Sequence, residues 1–418
     1  MKGFYNLSIR LYGLSILIAS FFNEKAGKWR AGRKDIFIKL QEAIQVSEQP
    51  LAWFHCASLG EFEQGRPVIE TFRKKFPAYK ILLTFFSPSG YEVRKDYKEA
   101  DYVFYLPLDT PPNAKMFIEI VKPTIAVFIK YEFWFNYLTE LKKRSIASFL
   151  VSAKFRDDQY FFKNTGRSFR KYLRFYTTLF VQDEASEALL KEFRISNVVL
   201  CGDTRFDRVI NISQQPFPNP LFQIFKNKQP LLLCGSTWEE DEKLIFPVYA
   251  NLIRLGLKPK LIIAPHEVSE ARIKSIQTKY PTTLRFSAAT ENNTAPANVM
   301  VIDTIGVLSY LYRFADVAYI GGGFGKGIHN LTEAAVYGIP VLFGPNYKKF
   351  IEAEELIKKG GGFSISTTEG LEAKIKKLLT DPDYRKTCGE TGASYILSGK
   401  GATEKIISKL EEILGSPH

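Results

Sequence analysis

The feature that most constrains the fold is an alternation, from residue 51 onward, between short apolar runs and longer segments of helical periodicity. The runs carry β-branched and aromatic residues on both faces, as strands buried within a parallel sheet do. In the first half we predict strands at Leu51–Cys56, Lys80–Phe86, Tyr102–Leu106, Ile125–Ile129, Ile146–Val151, Leu179–Gln182 and Val198–Cys201. In the second half we predict strands at Pro230–Cys234, Lys260–Ala264, Val299–Ile302, Val317–Ile320 and Pro340–Phe343. The pattern predicts an α/β fold of doubly wound parallel sheets.

Length and one break in the pattern predict two domains. A chain of 418 residues suits two cores of roughly 150–200 residues each. The polar, proline-rich segment Ile210–Pro220 predicts a linker between a domain over 35–209 and a domain over 221–418. Two Rossmann-like domains that face an interdomain cleft would form a GT-B arrangement, with ligands at the carboxyl ends of the strands. Epimerases and phosphorylases share this arrangement, so it does not fix the activity.

Residues 1–34 predict a segment that associates with a membrane. Leu11–Phe22 is almost wholly apolar, and basic residues follow it closely. The run is shorter than the about 20 residues of a spanning helix, and no A-x-A-like cleavage site follows. We therefore predict an interfacial anchor or a marginal single span, with the basic cluster on the cytoplasmic side. A buried core helix and a cleaved signal are the alternatives.

The formal net charge of +13 indicates an anionic partner: nucleic acid, acidic lipid or a phosphorylated small molecule. Tyr160–Tyr176 interleaves aromatic and basic residues. Such a segment suits base stacking, a membrane interface or an amphipathic helix with a solvated basic face. Because the amino terminus is apolar, we favour an anionic membrane surface and expect no nucleic acid.

Cysteine and histidine spacing disfavours a metal site. The four cysteines show no C-x-x-C spacing, and no two of the four histidines have a metal-ligand spacing. We therefore predict buried free thiols, no bound metal and no cofactor.

The first candidate catalytic residue is Glu61. A predicted strand ends at Cys56, and the sequence Ser58-Leu59-Gly60-Glu61 leads into a helix. A carboxylate in the first helical turn stays ionised and is able to accept a proton. The alternative is that Glu61 is only a favourable first-turn acid and Gly60 a turn residue.

The second candidate is Glu132, which follows another predicted strand within the aromatic sequence Ile129–Phe135. It is either held by a cation such as Lys130 or used in binding an acceptor. The alternative is a solvated glutamate among aromatic residues of the core.

The segment Tyr319–Pro340 predicts a nucleotide site. A strand runs into five glycines and then into a helix that begins near Asn330. Glycines let the backbone approach an anion, and a helix amino terminus binds it, although Lys326 is followed by glycine and the P-loop pattern fails. Glu333 suits contact with ribose hydroxyls, and turns after other strands of the same sheet would complete the lining. The alternative is tight strand–helix packing.

Four short segments, taken in order, resemble motifs of one known family. Ala57–Glu61 looks like an S-x-G-E motif and Tyr131–Trp134 like E-x-W. Asp303–Gly306 resembles D-T-M-G-E, and His329–Glu333 resembles H-N-x-x-E. Their order and spacing are similar to those of the lipid A-specific 3-deoxy-D-manno-octulosonic acid (Kdo) transferases, glycosyltransferase family 30.

The resemblance implies an inverting, metal-independent GT-B enzyme at the cytoplasmic side of the inner membrane. It would transfer Kdo from CMP-Kdo to lipid IVA, a lipid A precursor in lipopolysaccharide synthesis. Glu61 would be the proton acceptor and Glu132 a second essential acid. The expected substrate and nucleotide contacts are Ser58, Gly60, Ser236, Pro265, His266, Ile305, Gly306, Val307, Lys326, Asn330, Leu331, Thr332 and Glu333.

Three positions depart from the family pattern. Pro265 stands where the family has arginine, Val307 where it has glutamate and Trp238 where it has histidine. Lys326 or Arg205 is our candidate for the missing cation. Two other functions stay open: a GT-B transferase or epimerase that uses a UDP- or GDP-sugar, and a non-enzymatic protein that binds nucleic acid. The glycine-rich edge of an α/β body argues against the second.

Overall fold

The computed structural model describes residues 2–44 and 49–415. The chain divides into two compact units, Met1–Arg208 with Gly401–His418, and Val209–Lys400. Each unit is built around one parallel sheet of seven strands.

The sheet of the first unit has the order β3-β2-β1-β4-β5-β6-β7. Its strands are β1 Leu51–Cys56, β2 Lys80–Phe85, β3 Tyr102–Tyr105, β4 Ile125–Ile129, β5 Ala147–Ala153, β6 Thr178–Val181 and β7 Val198–Leu200. All neighbouring strands pair in parallel. Successive residues of β1 enter different hydrophobic cores, Trp53 on one side and Phe54 on the other. The sheet is therefore buried on both faces, as its apolar runs predict.

Helices cover both faces of this sheet. They are α1 Lys2–Ala19, α2 Glu24–Gly32, α3 Ile36–Ala43, α4 Leu59–Lys75, α5 Pro88–Arg94, α6 Pro111–Val121, α7 Phe135–Lys143, α8 Arg170–Leu173, α9 Glu184–Glu192 and α10 Thr204–Gln214.

The sheet of the second unit has the order β10-β11-β9-β8-β12-β13-β14, again parallel throughout. Its strands are β8 Leu231–Thr237, β9 Lys260–Pro265, β10 Leu284–Arg285, β11 Val299–Val301, β12 Val317–Ile320, β13 Val341–Phe343 and β14 Gly362–Ser364. Its helices are α11 Leu221–Lys226, α12 Glu239–Arg254, α13 Glu270–Lys279, α14 Glu291–Thr294, α15 Leu308–Leu311, α16 Thr332–Ala335, α17 Ile351–Lys359, α18 Thr368–Thr380 and α19 Pro382–Ser398. The last helix of the chain is α20 Ala402–Leu414.

The predicted α/β class and all twelve predicted strands are confirmed, with ends that shift by a few residues. The prediction misses β10 and β14, which have only two and three residues. All four cysteines are buried and free, as predicted.

Two predicted boundaries are wrong. Residues 221–418 do not form one domain, because α20 packs against α4 in the first unit. Its residues Ile406, Ile407 and Leu410 are buried in the core that contains Phe54. The predicted linker is also partly helical, since α10 continues to Gln214, and the division between the units falls within this helix.

The expectation that Tyr160–Tyr176 presents aromatic rings to a membrane is also wrong. Phe161, Phe162, Phe169, Tyr172 and Tyr176 are buried in the core of the first unit. The segment is not one amphipathic helix, but two short 3-10 turns followed by α8. Its buried rings therefore stabilise the fold, and the basic residues Lys163, Arg167, Lys171 and Arg174 are exposed.

Helix α1 has no buried residue, although it is strongly apolar. Phe4 is 77% exposed, and Phe21 and Phe22, which follow α1, are 70% and 89% exposed. Within the described part of the chain, no single helix has the length and hydropathy of a membrane span. Helices α1 and α2 reach that length and composition only as a pair, with a bend of 120° between them.

Candidate active site

The two predicted acids follow neighbouring strands at the centre of the first sheet. The strand order reverses between β1 and β4, so the chain leaves these strands toward opposite sides. A crevice forms at the carboxyl ends of the strands at such a point. Ser58–Glu61 follows β1, and Glu132 lies three residues after the end of β4. The topology thus brings both candidates to one edge of the first unit.

Glu61 lies in the first turn of α4 and is partly exposed. The hydroxyl of Ser58 donates to its carboxylate. Ser58 occupies the N-cap position but makes no side-chain bond to a backbone N–H, although S-x-x-E is the capping-box spacing. The Ser58 side chain therefore orients Glu61 rather than capping the helix, and Gly60 beside it is exposed.

Glu132 is only 7% exposed, and three residues donate hydrogen bonds to it. His55 Nε2 donates to its carboxylate over 3.2 Å, and the indole N–H of Trp134 donates to the same oxygen. The phenol of Tyr176 donates to its backbone carbonyl. The prediction that Lys130 holds Glu132 is wrong. Lys130 has a positive φ of 74°, and its ammonium lies over the ring of Tyr131.

His55 is the residue of this site that the sequence analysis missed. It lies in β1, is fully buried, and faces β2 through Thr84. The Thr84 hydroxyl lies 2.8 Å from His55 Nδ1 and accepts from the Trp53 indole over 2.8 Å. His55 Nδ1 also lies 3.1 Å from the backbone carbonyl oxygen of Thr84. Buried donors thus fix the orientation of the Glu132 carboxylate.

The second unit has a corresponding edge between β8 and β12, where its strand order reverses. Ser236 stands there with a φ of 53°, next to a register shift between Gly235 and Thr237. The glycine-rich turn begins directly after β12 with Gly321. Ser236 and the glycine-rich turn therefore lie at the sheet edge where the sequence pattern places them.

The glycine turn is organised by the protein's own hydrogen bonds. The N–H groups of Gly321, Gly322, Gly325 and Gly327 all donate to protein oxygens. The acceptor for Gly322 is the carboxylate of Asp241, whose pKa burial raises. These four N–H groups are engaged, so the expectation that the glycine backbone cradles an anion does not hold for them. Tight packing explains Gly321 and Gly322, where an added Cβ would lie 2.3 Å and 2.5 Å from backbone oxygens.

The helix after this turn begins at Thr332, two residues after the predicted start near Asn330. It comprises only Thr332–Ala335, and Asn330 Oδ1 accepts from both the N–H and the hydroxyl of Thr332. Asn330 Nδ2 donates to Glu333 over 3.0 Å. Leu331 and Thr332 are buried. The motif residues Asn330 and Glu333 therefore form one hydrogen-bonded, partly exposed polar group.

Three rings stack at the end of the second sheet. His266 lies 4.7 Å from Trp238 and 4.2 Å from His329, centroid to centroid. The Trp238 indole donates to His329 Nε2 over 3.0 Å. Burial, then the neighbouring His266, lower the pKa of His329 to about 4. The stack gives a flat aromatic surface beside Pro265, a kind of surface on which nucleobases stack.

The remaining predicted contacts lie at the surface of the second unit. Ile305 is 87% exposed, Gly306 is exposed with a φ of 93°, and Val307 is the N-cap of α15. Lys326 is exposed within the glycine turn. Arg205, the other candidate cation, belongs to the first unit and pairs with Asp203 over 2.7 Å.

Across residues 2–44 and 49–415, no group of three or more His, Cys, Asp or Glu side chains has the arrangement of a metal site.

Comparison with known sequences points to one enzyme family. The model of the family described as 3-Deoxy-D-manno-octulosonic-acid transferase (kdotransferase) matches residues 30–208. A 3-deoxy-D-manno-octulosonic acid transferase of Rickettsia bellii is 28% identical over 364 residues, 84% of this chain and 85% of the relative. The transferase of that name from Aquifex aeolicus is 27% identical over 332 residues, 78% of this chain and 86% of the relative.

Solved structures share the architecture. UDP-GlcNAc 2-epimerase from Neisseria meningitidis, bound to UDP-GlcNAc, aligns with a TM-score of 0.60 at 16% identity, covering 87% of this chain and 99% of that one. MurG of Acinetobacter baumannii aligns with a TM-score of 0.52 at 13% identity, with the same coverage. At these identities the likeness concerns the fold, which is of GT-B type.

Proposed function

The chain belongs to the family of Kdo transferases, and from this premise we propose that it transfers Kdo from CMP-Kdo to lipid IVA. The observation that carries the proposal is the pair Glu61 and Glu132 at the switch point of the first sheet. The first carboxylate is partly exposed and the second is buried and fixed by His55. One acid is thus available to a substrate, and the other is held rigidly beside the same crevice.

Glu61 is the proton acceptor in this proposal. The bond between the anomeric carbon of Kdo and the phosphate oxygen of CMP breaks, and an acceptor hydroxyl oxygen bonds to that carbon. The hydroxyl proton passes to Glu61, and CMP leaves with the electron pair of the broken bond. Because cleavage passes through an oxocarbenium-like state, the hydroxyl loses its proton late and a strong base is not required.

The leaving group is a nucleoside monophosphate, which carries less charge than a diphosphate. Protein cations and dipoles therefore suffice, and we propose catalysis without a metal or a cofactor. In the second unit, Trp238, His266 and His329 offer a stacking surface for the base, and Asn330 and Glu333 offer polar groups for the ribose. Lys326, which is exposed in the glycine turn, is the proposed cation for the phosphate.

We also propose that the enzyme works at the cytoplasmic side of the inner membrane. The exposed apolar side chains of α1 and the Phe21–Phe22 turn support this location, because water solvates such a surface poorly. The basic side chains after α1, among them Lys25 and Lys28, suit anionic headgroups.

The test is an assay of the purified full chain with CMP-Kdo and lipid IVA in detergent, with EDTA present, read by product mass. We expect product that carries Kdo. Glu61→Gln should abolish transfer and leave CMP binding, measured by calorimetry, unchanged. Glu70→Gln, on the same helix, is the matched control and should keep activity.

Three results would contradict the proposal. They are the absence of product, a strict requirement for a divalent cation, and tighter binding of UDP than of CMP. The last would favour a transferase or epimerase that uses a UDP-sugar. Tight, salt-dependent binding of DNA or RNA in a filter assay would instead favour a nucleic-acid partner.

A further inference from the structure

The first unit has a groove beside α1, which we call the α1 groove. It has a volume of about 650 Å³ and runs between α1, α2, α3 and the residues after β3. Leu17, Trp29, Ile38 and Leu108 are among its mainly apolar lining residues. Its volume falls within the range of ligand pockets, roughly 300–1,000 Å³. An apolar groove of this size suits a hydrocarbon chain.

Arginines line the same groove. Arg10, Arg30 and Arg33 face it, against a single carboxylate, Asp35. In the described part of the chain, none of the three arginines forms an ion pair. The groove therefore combines an apolar wall with uncompensated positive charge, which is complementary to a lipid that carries an anionic group.

Arg33 is the most buried of these cations. Its guanidinium donates to the backbone carbonyls of Leu106, Trp29 and Phe86 and lies 3.8 Å from the centre of the Trp29 ring. Burial lowers its pKa to about 9, which leaves it charged at neutral pH. The protein thus holds a fixed positive charge at the wall of an apolar groove without a neutralising acid.

The α1 groove is connected to the acid site by aromatic rings. Trp29 also lines a second cavity of about 380 Å³, together with Phe86. The Phe86 ring lies 5.8 Å from Trp29 and 4.8 Å from Trp134. Trp134 donates to Glu132. A lipid in the groove would therefore have its polar end near the candidate catalytic edge of the same unit.

The apolar outer surface of α1 gives a lipid chain a route into the groove. Leu14 and Ile18 are 52% and 57% exposed, and Phe22 at the end of the helix is 89% exposed. Leu14 and Ile18 lie on the same helix as Leu17, which lines the groove. A chain that leaves a bilayer beside α1 would pass directly from lipid to the groove.

We propose that the α1 groove binds one acyl chain of the lipid acceptor, and that Arg30 and Arg10 bind its phosphate. This inference rests on the proposed function, because it assigns the groove to the acceptor of that reaction. Its occupant is the acceptor and not a bulk phospholipid, because the groove is connected by Phe86 and Trp134 to Glu132. The acyl chain accounts for affinity, and the cations set the position of the sugar.

Leu17→Trp tests the apolar part, because the larger ring fills the groove. Leu14→Trp is the matched control on the outer surface of α1. The full chain is assayed in detergent with lipid IVA and with the same acceptor after its ester-linked acyl chains have been removed. We expect Leu17→Trp to raise KM about tenfold for the acylated acceptor, equivalent to about 1.4 kcal/mol. It should leave KM for the deacylated acceptor unchanged, and Leu14→Trp should change neither value.

Arg30→Gln tests the charged part without disturbing the fold, since the Arg30 side chain is exposed. We expect KM to rise about tenfold for the phosphorylated acceptor and to stay unchanged for the acceptor after its phosphates have been removed by phosphatase. Lys39→Gln is the matched control, because Lys39 is an exposed lysine of α3 that does not line the groove, and it should leave both values unchanged.

Three outcomes would overturn the assignment of the groove. Equal effects of Leu17→Trp and Leu14→Trp, or equal effects on both acceptors, would show that the groove does not bind the acyl chain. Weaker flotation of Leu17→Trp than of wild type on phosphatidylglycerol vesicles, with unchanged KM, would assign it to a bulk phospholipid. Absence of transfer by the wild type would overturn the proposed function as well, whereas transfer with these other results would overturn the groove alone.

Discussion

The indole N–H of Trp238 donates to Nε2 of His329, with 3.0 Å between the two nitrogens. Nε2 is therefore unprotonated, and the neutral ring carries its proton on Nδ1. Burial, and then the His266 ring stacked at 4.2 Å, oppose a positive charge on His329. Tryptophan at position 238, where the related motif has histidine, thus selects one tautomer of a motif residue.

Trp238→Phe should raise the pKa of His329 above its wild-type value of about 4. Phenylalanine keeps a ring in the stack but removes the donor that requires an unprotonated Nε2. An NMR titration of the histidine ring signals measures the change. His55 lies in the other unit, and its ring signals are an internal control that the substitution should leave unchanged. A lower or unchanged pKa for His329 would show that the indole does not select its tautomer.

Protonation of His329 should also make stability depend on pH. Its pKa is lowered from 6.5 to about 4 in the folded chain, so the unfolded chain binds the proton first as the pH falls. The stability that neutral His329 contributes is complete above the unfolded pKa and is lost as the pH falls toward 4. The measured quantity is the difference in unfolding free energy between wild type and His329→Asn, from urea titrations at about pH 7.5 and about pH 4.5. We expect this difference to be smaller at about pH 4.5 than at about pH 7.5. A larger difference at the lower pH would contradict a lowered pKa for His329.

Gly321→Ala should destabilise the second unit by about 1–3 kcal/mol. An added Cβ would lie 2.3 Å from the carbonyl oxygen of Ser236 and 2.6 Å from Thr237 Cα, both backbone atoms that cannot move aside cheaply. Gly325→Ala is the matched control in the same turn, because its nearest neighbour would be 3.7 Å away. Urea titrations measure both variants. Similar losses would mean that the turn is not packed as tightly as these distances indicate.

Most strands are predictable from the sequence, because both faces of each sheet are buried and each strand is therefore a continuous apolar run. Strands β10 and β14 are too short to give such a run. Helix α20 is amphipathic, but its pattern does not say which sheet it covers. Ile406 and Leu410 pack in a core of the first unit, and nothing in the sequence near them indicates that contact.

The positions of Glu61 and Glu132 are predictable from the sequence, because each follows a strand that ends at the same edge of the first sheet. The residues that bind these acids are not predictable in the same way. His55 lies within an apolar strand and reads as core, and its contact with Glu132 requires β1 and β4 to be neighbours. The role of the glycine turn depends on similar long-range contacts. Asp241 lies 81 residues before Gly322 and accepts its N–H. The sequence alone leaves that N–H group available to a ligand.

Tyr5→Phe should loosen the attachment of α1 to the first unit. The Tyr5 hydroxyl donates to Asp109 Oδ2 over 2.6 Å, and Asp109 also accepts the backbone N–H groups of Asn136 and Tyr137. Burial raises the pKa of Asp109 to about 6, so near neutral pH a buried carboxylate depends on these donors. Loss of a hydrogen bond to a charged group costs about 1.5–3 kcal/mol.

Hydrogen–deuterium exchange of the α1 amides at about pH 7.5 measures this change, and we expect exchange at least about tenfold faster in Tyr5→Phe. Ser15→Ala is the control on the same helix, because the Ser15 hydroxyl bonds only within α1, to the carbonyl of Tyr12. The effect should shrink below about pH 6, since Asp109 then becomes neutral and depends less on the tyrosine donor. Equal exchange in wild type and Tyr5→Phe would mean that apolar contacts of α1, such as the Tyr5 ring against Phe135 at 4.7 Å, hold the helix without this hydrogen bond.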